Sequence, residues 1–285
     1  MADWTFRIWG CRGGISVGGP ANSLYGGLTT CLELVVPQGR IFIDAGSAFA
    51  EAGRSPEMDN RDTLLLLTHL HADHILGFPF FGGLYQPGWQ LHVAGVPREN
   101  LAPFEFIQQV HRPPLFPVPI GPALQVRATG EALDPVGTGT FADVRYRWME
   151  VGHPGGCTAI ALEVGGRKIV FSGDLELARM DTREFDAFDD FCADADLLVF
   201  DAQYNDSEYP NHFGWGHSTH RQAAELARRV GVRSLVLTHH DPRHDDVELE
   251  RMAAEACTIF EATEPAWCGM TFTEADISGP HRPRR

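Results

Sequence analysis

The sequence has no apolar run that approaches the roughly 18 to 20 residues of a membrane-spanning helix. Its six cysteines form no C-x-x-C pair and are too sparse for a disulfide scaffold, so we expect reduced thiols. The first residues contain no basic segment followed by an apolar run, which argues against a signal peptide. These absences predict a cytoplasmic protein without membrane association.

Positive charge is also scarce. The chain holds 23 Lys and Arg against 38 Asp and Glu, for a formal net charge of −15. A protein that binds a long nucleic acid needs a basic face to neutralise phosphates, and only residues 281–285 concentrate positive charge. We therefore expect a small substrate and predict against a long nucleic acid as partner.

No linker, internal repeat or low-complexity run divides the chain. This predicts one domain over residues 1–276, followed by a disordered tail over 277–285. Residues 103–122 hold six prolines and three phenylalanines, which favours a rigid excursion over a flexible linker. That segment could wall an active site or form a dimer contact, and we expect a homodimer.

The most informative motif is the run His69-Leu70-His71-Ala72-Asp73-His74, which directly follows the apolar residues 64–67. It places four potential metal ligands within six residues. Imidazole and carboxylate groups are typical ligands of zinc and related divalent ions. The run therefore predicts half of a two-metal hydrolytic site.

The remaining ligands are expected far away in the sequence. His153 follows the alternating run 144–151, Asp174 ends the strand-like segment 167–173, and His239 ends the segment 234–238. All three stand at the carboxyl end of a predicted strand, where loops carry chemistry.

With these residues the chain resembles the metallo-β-lactamase superfamily, whose pattern is H-x-H-x-D-H followed by a lone His, an Asp and a lone His. The resemblance implies two divalent ions, most simply zinc with manganese also admissible, and an Asp that bridges them. One ion would be held by His69, His71 and His153, the other by Asp73, His74 and His239, with Asp174 between them.

Hydrophobic patterning agrees with the fold that the resemblance implies. Short strands are predicted over 6–9, 30–36, 40–45, 63–68 and 90–94, with glycine or proline between them. Helices are predicted around 73–81, after a capping box at Thr219 and up to Gly231, and over about 246–260. The expected fold is an α/β (α+β) αββα sandwich of two mixed β-sheets with helices on the outer faces.

Two further motifs indicate a branch of the superfamily. The glycine-rich segments 10–14 and 25–31 resemble the opening of the phosphodiesterase branch. Gly216-His217-Ser218-Thr219 resembles the G-H-x-T element of transfer-RNA 3′-processing endonucleases and cyclic phosphodiesterases, in which this histidine assists the leaving group. The resemblance implies that His217 is catalytic as a general acid, together with Asp73 in the metal site.

Other residues near these motifs are weaker candidates. His212, Tyr204 and His240 are predicted to contact the substrate; His212 lies close to aromatic residues that could touch a base. Asp201 ends a strand and either orients a metal-bound histidine or caps its own turn.

The leading hypothesis is a two-metal phosphodiesterase that hydrolyses a small phosphodiester, most simply a 3′,5′-cyclic nucleotide, with a metal-bridging hydroxide as nucleophile. The first alternative is a transfer-RNA 3′-processing endonuclease, which shares every metal ligand and the G-H-x-T element. A lactone, thioester or β-lactam hydrolase of the same fold and a non-catalytic sensor are further alternatives. The histidine of the G-H-x-T element disfavours the former, and the unbroken ligand set disfavours the latter.

Overall fold

A computed structural model describes residues 4–59, 62–117, 119 and 127–278. They form two seven-stranded sheets that pack face to face, which confirms the predicted sandwich. The first sheet has the strand order β14-β1-β2-β3-β4-β5-β6, and the second has the order β13-β12-β11-β10-β9-β8-β7. The strands are β1 (Thr5–Gly10), β2 (Cys31–Val36), β3 (Gly39–Ile43), β4 (Thr63–Leu67), β5 (Gln90–Gly95), β6 (Arg127–Ala132), β7 (Val136–Phe141), β8 (Val144–Val151), β9 (Cys157–Val164), β10 (Arg167–Phe171), β11 (Leu197–Asp201), β12 (Leu235–Thr238), β13 (Thr263–Pro265) and β14 (Met270–Thr273).

The helices lie on the outer faces of the two sheets. Helix α1 packs beside the first sheet, whereas α4, α5 and α6 cover the second. The described helices are α1 (Ser47–Ala52), α2 (Ala72–Ile75), α3 (Pro103–Val110), α4 (Thr182–Cys192), α5 (His220–Val230), α6 (Asp246–Cys257) and α7 (Glu274–Ser278). None of them, within the described ranges, is long and apolar enough to cross a bilayer.

Strand β4 shows how the core is built. All five of its residues are buried, because both faces of the strand are covered. Leu64 and Leu66 pack into the apolar layer between the sheets, and Leu65 and Leu67 pack against the helical layer outside. Because the side chains of β4 alternate between two packed layers, the carboxyl end of the strand has a fixed position, which also positions the residues that directly follow it.

Parallel pairing brings the functional loops together. In the first sheet β3, β4 and β5 run parallel, and in the second β10, β11 and β12 do so. The carboxyl ends of parallel strands meet at one edge of a sheet, where ligands of such folds bind. The loops after β4, β10, β11 and β12 therefore lie at one edge of the sandwich.

Of the helices predicted from the sequence, the structure confirms the cap of one and shortens another. The capping box of α5 is confirmed, since the side chains of Thr219 and Gln222 bond reciprocally to each other's backbone, and Gly231 ends the helix with φ 71°. The helix predicted over 73–81 is shorter: α2 ends at Ile75, and a separate turn of 3-10 helix occupies Phe78–Phe80, because Pro79 cannot continue the hydrogen-bond ladder.

The predicted boundary at residue 276 falls inside an ordered element. Helix α7 extends to Ser278, and Ile277 is buried in the core between the sheets. The rest of the predicted tail, 279–285, lies outside the described residues, as do 118 and 120–122 of the proline-rich segment.

Candidate metal centre

The three residues predicted to bind one ion lie close together although their loops belong to different sheets. His69 and His71 follow β4, and His153 lies in the turn between β8 and β9. Nε2 of His153 is 3.1 Å from Nδ1 of His71, and one ligand atom from each of the three residues falls within 4.8 Å of the others. The geometry can accommodate a metal ion among the three imidazoles.

A second group lies beside the first and is fully buried. Asp73 and His74 belong to α2, and His239 follows β12. Nε2 of His74 and Nε2 of His239 are 3.3 Å apart, and Oδ2 of Asp73 lies 3.3 Å from the former and 3.2 Å from the latter. The three side chains thus converge on one point.

Asp174 connects the two groups. Its Oδ2 atom is 3.6 Å from Nε2 of His69, 3.3 Å from Nε2 of His74 and 3.2 Å from Nε2 of His239. A carboxylate in this position can ligate ions on both sides. All seven residues predicted from the sequence as ligands therefore lie in a single cluster.

The polar atoms of this cluster fit divalent cations. Among the described residues, Nε2 of His69 and Oδ1 of Asp174 are buried without a hydrogen-bond partner. Buried polar atoms in native proteins are nearly always satisfied, so two unpaired acceptors within a cluster of potential ligands fit a bound cation. Nitrogen and oxygen donors without a thiolate suit zinc, manganese or iron.

The proposed ligands differ in protonation. Burial lowers the pKa of His74 and of His239, but Asp174 and Asp73 outweigh it, so the pKa of His239 is raised to about 9 and that of His74 well above its usual value, and a bound ion would displace a proton from each. Two other groups need no such displacement. Burial, reinforced by the neighbouring His74, holds the pKa of His69 well below its usual value, so its imidazole is neutral and free to ligate. Burial opposes ionisation of Asp174, but the adjacent His239, His74 and His69 outweigh it and hold its pKa well below the usual range. Metal ligands must be deprotonated, and these two residues are.

A set of outer hydrogen bonds orients the imidazoles. His74 donates from Nδ1 to Oδ2 of Asp44 at 2.7 Å, and Asp44 also accepts from the backbone and hydroxyl of Thr68. His69 donates from Nδ1 to the Thr68 hydroxyl at 3.0 Å. Sequence reasoning missed Asp44; its only signal was an acidic residue followed by Ala-Gly at the end of a strand.

The ligands on the second sheet are held in the same way. His239 donates from Nδ1 to Oε1 of Gln203 at 2.8 Å, and His153 donates from Nδ1 to the backbone carbonyl of Gly216 at 2.8 Å. Asp73 accepts from the backbone N–H of Gly14 at 2.7 Å. Such outer partners fix the tautomer and direction of each ring.

His217 lies at the edge of the cluster, with its side chain 12% exposed. It donates from Nδ1 to Oδ2 of the buried Asp201 at 2.8 Å, and its ring stacks on that of His239 at 4.8 Å between centroids. Asp201 also accepts from the backbone N–H of Gln203 at 3.2 Å, so it both orients a histidine and caps its own turn.

Two of the three residues predicted to contact substrate are buried. Tyr204 is 1% exposed and accepts a hydrogen bond from Gln203 on its hydroxyl, whereas His240 is 2% exposed and donates from Nε2 to the Ala266 carbonyl. Burial lowers the pKa of His240 to about 3. His212 remains half-exposed and stacks on Tyr204 at 4.4 Å.

Comparison with known proteins places this cluster in a family. The family model described as the β-lactamase superfamily domain matches residues 39–240, which include every residue of the cluster. Ribonuclease Z from Exiguobacterium sibiricum is 27% identical over 290 residues, which cover 81% of this chain and 89% of that protein. Ribonuclease Z from Brevibacillus brevis is 42% identical over 105 residues, which cover 35% of this chain and only 31% of that protein.

Among solved structures, the metallo-β-lactamase fold protein YhfI from Bacillus subtilis superposes with a TM-score of 0.74 at 19% identity, covering 95% of this chain and 99% of that one. At this identity the likeness shows the fold alone. The family match and the sandwich together confirm the resemblance found in the sequence, and the chain belongs to the β-lactamase superfamily.

Proposed function

We propose that this chain is a two-metal ribonuclease that trims the 3′ ends of transfer-RNA precursors. It is a metal-dependent hydrolase of phosphodiester bonds. The pairing of His217 with Asp201 beside the metal cluster carries the phosphodiester chemistry, because an acid at this place suits an alkoxide leaving group, whereas the choice of a transfer-RNA precursor as substrate rests on the relatives. The names of the relatives matched over most of the chain support the same class of substrate.

In this proposal the seven clustered residues hold two divalent ions. Asp174 would serve as a ligand in both sites, and zinc is the proposed metal because imidazoles dominate the donor set. When bound, two such ions supply a water-derived nucleophile at neutral pH and neutralise the phosphate oxygens. The proposed ligands of one ion are His69, His71 and His153, and those of the other are Asp73, His74 and His239.

The chain's own residues orient the catalytic groups and transfer the proton. The Asp201 carboxylate accepts from Nδ1 of His217 and so fixes the tautomer and the direction of the ring. In its imidazolium form, with Nδ1–H still donating to Asp201, His217 transfers the Nε2 proton to the departing ribose oxygen and returns to the neutral form. The backbone N–H of Gly14 holds the Asp73 carboxylate in place.

The expectation that a long nucleic acid is not a substrate is wrong, because the relatives that match most of the chain are named ribonuclease Z. The net charge of −15 sums over the whole chain, whereas binding depends on the field at one face, which divalent ions invert. The same relatives favour the endonuclease alternative over the cyclic-nucleotide hypothesis.

The test is incubation of the metal-loaded protein with a transfer-RNA precursor that carries a 3′ trailer, at physiological salt. We expect a single cleavage at the trailer junction that is lost on chelation and in His69→Ala. A 3′,5′-cyclic nucleotide and a lactone serve as competing substrates. Turnover of either one with an intact precursor would overturn the proposal.

A further inference from the structure

The loop formed by residues 209–216, called here the aromatic loop, exposes two large apolar rings beside the candidate metal centre. Phe213 is 57% exposed and Trp215 is 61% exposed. An exposed tryptophan costs free energy in water, and such residues next to a catalytic group mark binding surfaces. Trp215 stands only two positions before His217.

The aromatic loop is fixed in place. The buried carboxylate of Glu176 accepts hydrogen bonds from the Tyr209 hydroxyl at 2.8 Å, from the backbone N–H of Gly214 at 2.8 Å and from that of Gly216 at 2.9 Å. Gly216 in turn accepts from His153, one of the proposed ligands. The exposed rings therefore keep a defined position relative to the centre.

Aromatic packing also supports the position of Trp215. Its ring meets His212 edge-on at 5.0 Å, and His212 lies flat on the buried Tyr204 at 4.4 Å. The rest of the Trp215 ring faces solvent and is accessible to a binding partner. His212, predicted from the sequence as a base contact, thus packs against the exposed ring of Trp215.

A cation lies next to the same loop. Arg179 is exposed, and its Nη1 atom is 3.9 Å from the position that a Cβ on Gly214 would occupy. Among the residues the structure describes, no carboxylate forms an ion pair with it. An aromatic platform with an adjacent cation is the arrangement that binds single-stranded nucleic acid.

We propose that Trp215, flanked by Phe213 and Arg179, stacks on an unpaired base of the RNA, namely the base of the nucleotide whose oxygen leaves beside His217. This rests on the proposed function. The stacked base would hold the scissile bond against the metal cluster, and Arg179 would contact a neighbouring phosphate. The aromatic loop would thus select an unpaired nucleotide at the cleavage site.

The test measures binding of a short fluorescent single-stranded RNA to the metal-loaded protein by anisotropy, with cleavage of a transfer-RNA precursor followed in parallel. Trp215→Ala should weaken binding roughly 10- to 100-fold, and Trp215→Phe should restore most of it. Arg179→Gln should weaken binding and flatten its salt dependence. Val136→Ala, which removes an exposed apolar side chain on β7, is the matched control and should bind normally.

The outcomes separate the two proposals. Equal RNA affinity of the wild type and Trp215→Ala overturns this inference, whether or not the precursor is cleaved. Binding that depends on Trp215, without cleavage, counts against the proposed function alone. Thermal unfolding verifies that each variant is folded, and a change of oligomeric state in Trp215→Ala would identify the loop as a subunit interface and overturn the inference.

Discussion

His74 and Asp44 are joined by a buried 2.7 Å hydrogen bond, although thirty residues separate them in the sequence. The carboxylate fixes the ring so that Nε2 of His74 points at Asp73, Asp174 and His239. We expect Asp44→Asn to lower metal affinity by about 10- to 100-fold, because the amide is a weaker acceptor for Nδ1–H and leaves the imidazole less basic. Chelator competition measures this.

Asp143 offers a matched control for that variant. It also has a left-handed backbone, with φ 63° against 62° for Asp44, but it is exposed and lies outside the metal centre. Asn tolerates this conformation, so Asp143→Asn should bind metal normally. Equal metal affinity of Asp44→Asn and the wild type would contradict the role given to Asp44.

Removing the imidazole of His217 should affect chemistry more than metal content. We expect His217→Ala to lower kcat on an RNA precursor by about 100- to 10,000-fold, because the leaving oxygen loses its acid. Asp201→Asn should lower it less, since the ring remains but loses its orienting carboxylate. Metal analysis accompanies single-turnover kinetics, and His92→Ala, a change in β5, is the control. Full activity in His217→Ala would rule out the acid role.

Glu176 should govern the stability of the aromatic loop. In Glu176→Gln one carboxylate oxygen becomes an NH2 group that faces an N–H donor, so at least one buried hydrogen bond is lost. We expect a loss of about 1–3 kcal/mol in the free energy of unfolding, together with weaker RNA binding. Urea titration with an RNA binding assay measures both, and an unchanged unfolding midpoint would show that the loop does not need this carboxylate.

Gly216 should not accept any side chain. A Cβ at this position would lie 2.4 Å from Nδ1 of His153, and the residue has φ 93°, which strains any other amino acid. Gly216→Ala should therefore displace His153 and reduce metal stoichiometry and activity. Gly152→Ala is the control, because nothing lies within 4 Å of its Cβ position although it adjoins His153. Equal metal content in both variants would refute the steric argument.

The metal ligands could be predicted from the sequence because they follow strands that the fold must bring to one edge. Asp44 also follows a strand, but a single carboxylate has no spacing pattern that distinguishes it. The burial of His240 could not be predicted: the backbone of His239 is left-handed, with φ 59°, and His240 bonds to the Ala266 carbonyl, neither of which the sequence reveals.

The expectation of a small substrate was wrong because it was inferred from the net charge of the whole chain. A net charge does not say where the charges lie, and the three-dimensional structure is needed to find that Arg179 lies beside Gly214 of the aromatic loop. The residues proposed to contact RNA lie on a loop whose conformation depends on the buried Glu176. Periodicity in the sequence describes strands and helices and contains no information on these contacts.

The seven proposed ligands are divided between the two sheets, with four in the loop and helix after β4 and three on loops of the second sheet. Ions held there would act as a cross-link between the halves of the sandwich, in addition to the apolar layer between them. A ligand that binds only the folded state raises its stability by mass action. The metal centre would then stabilise the fold as well as catalyse the reaction. Chelation would destabilise the sandwich at the edge where the proposed RNA substrate binds.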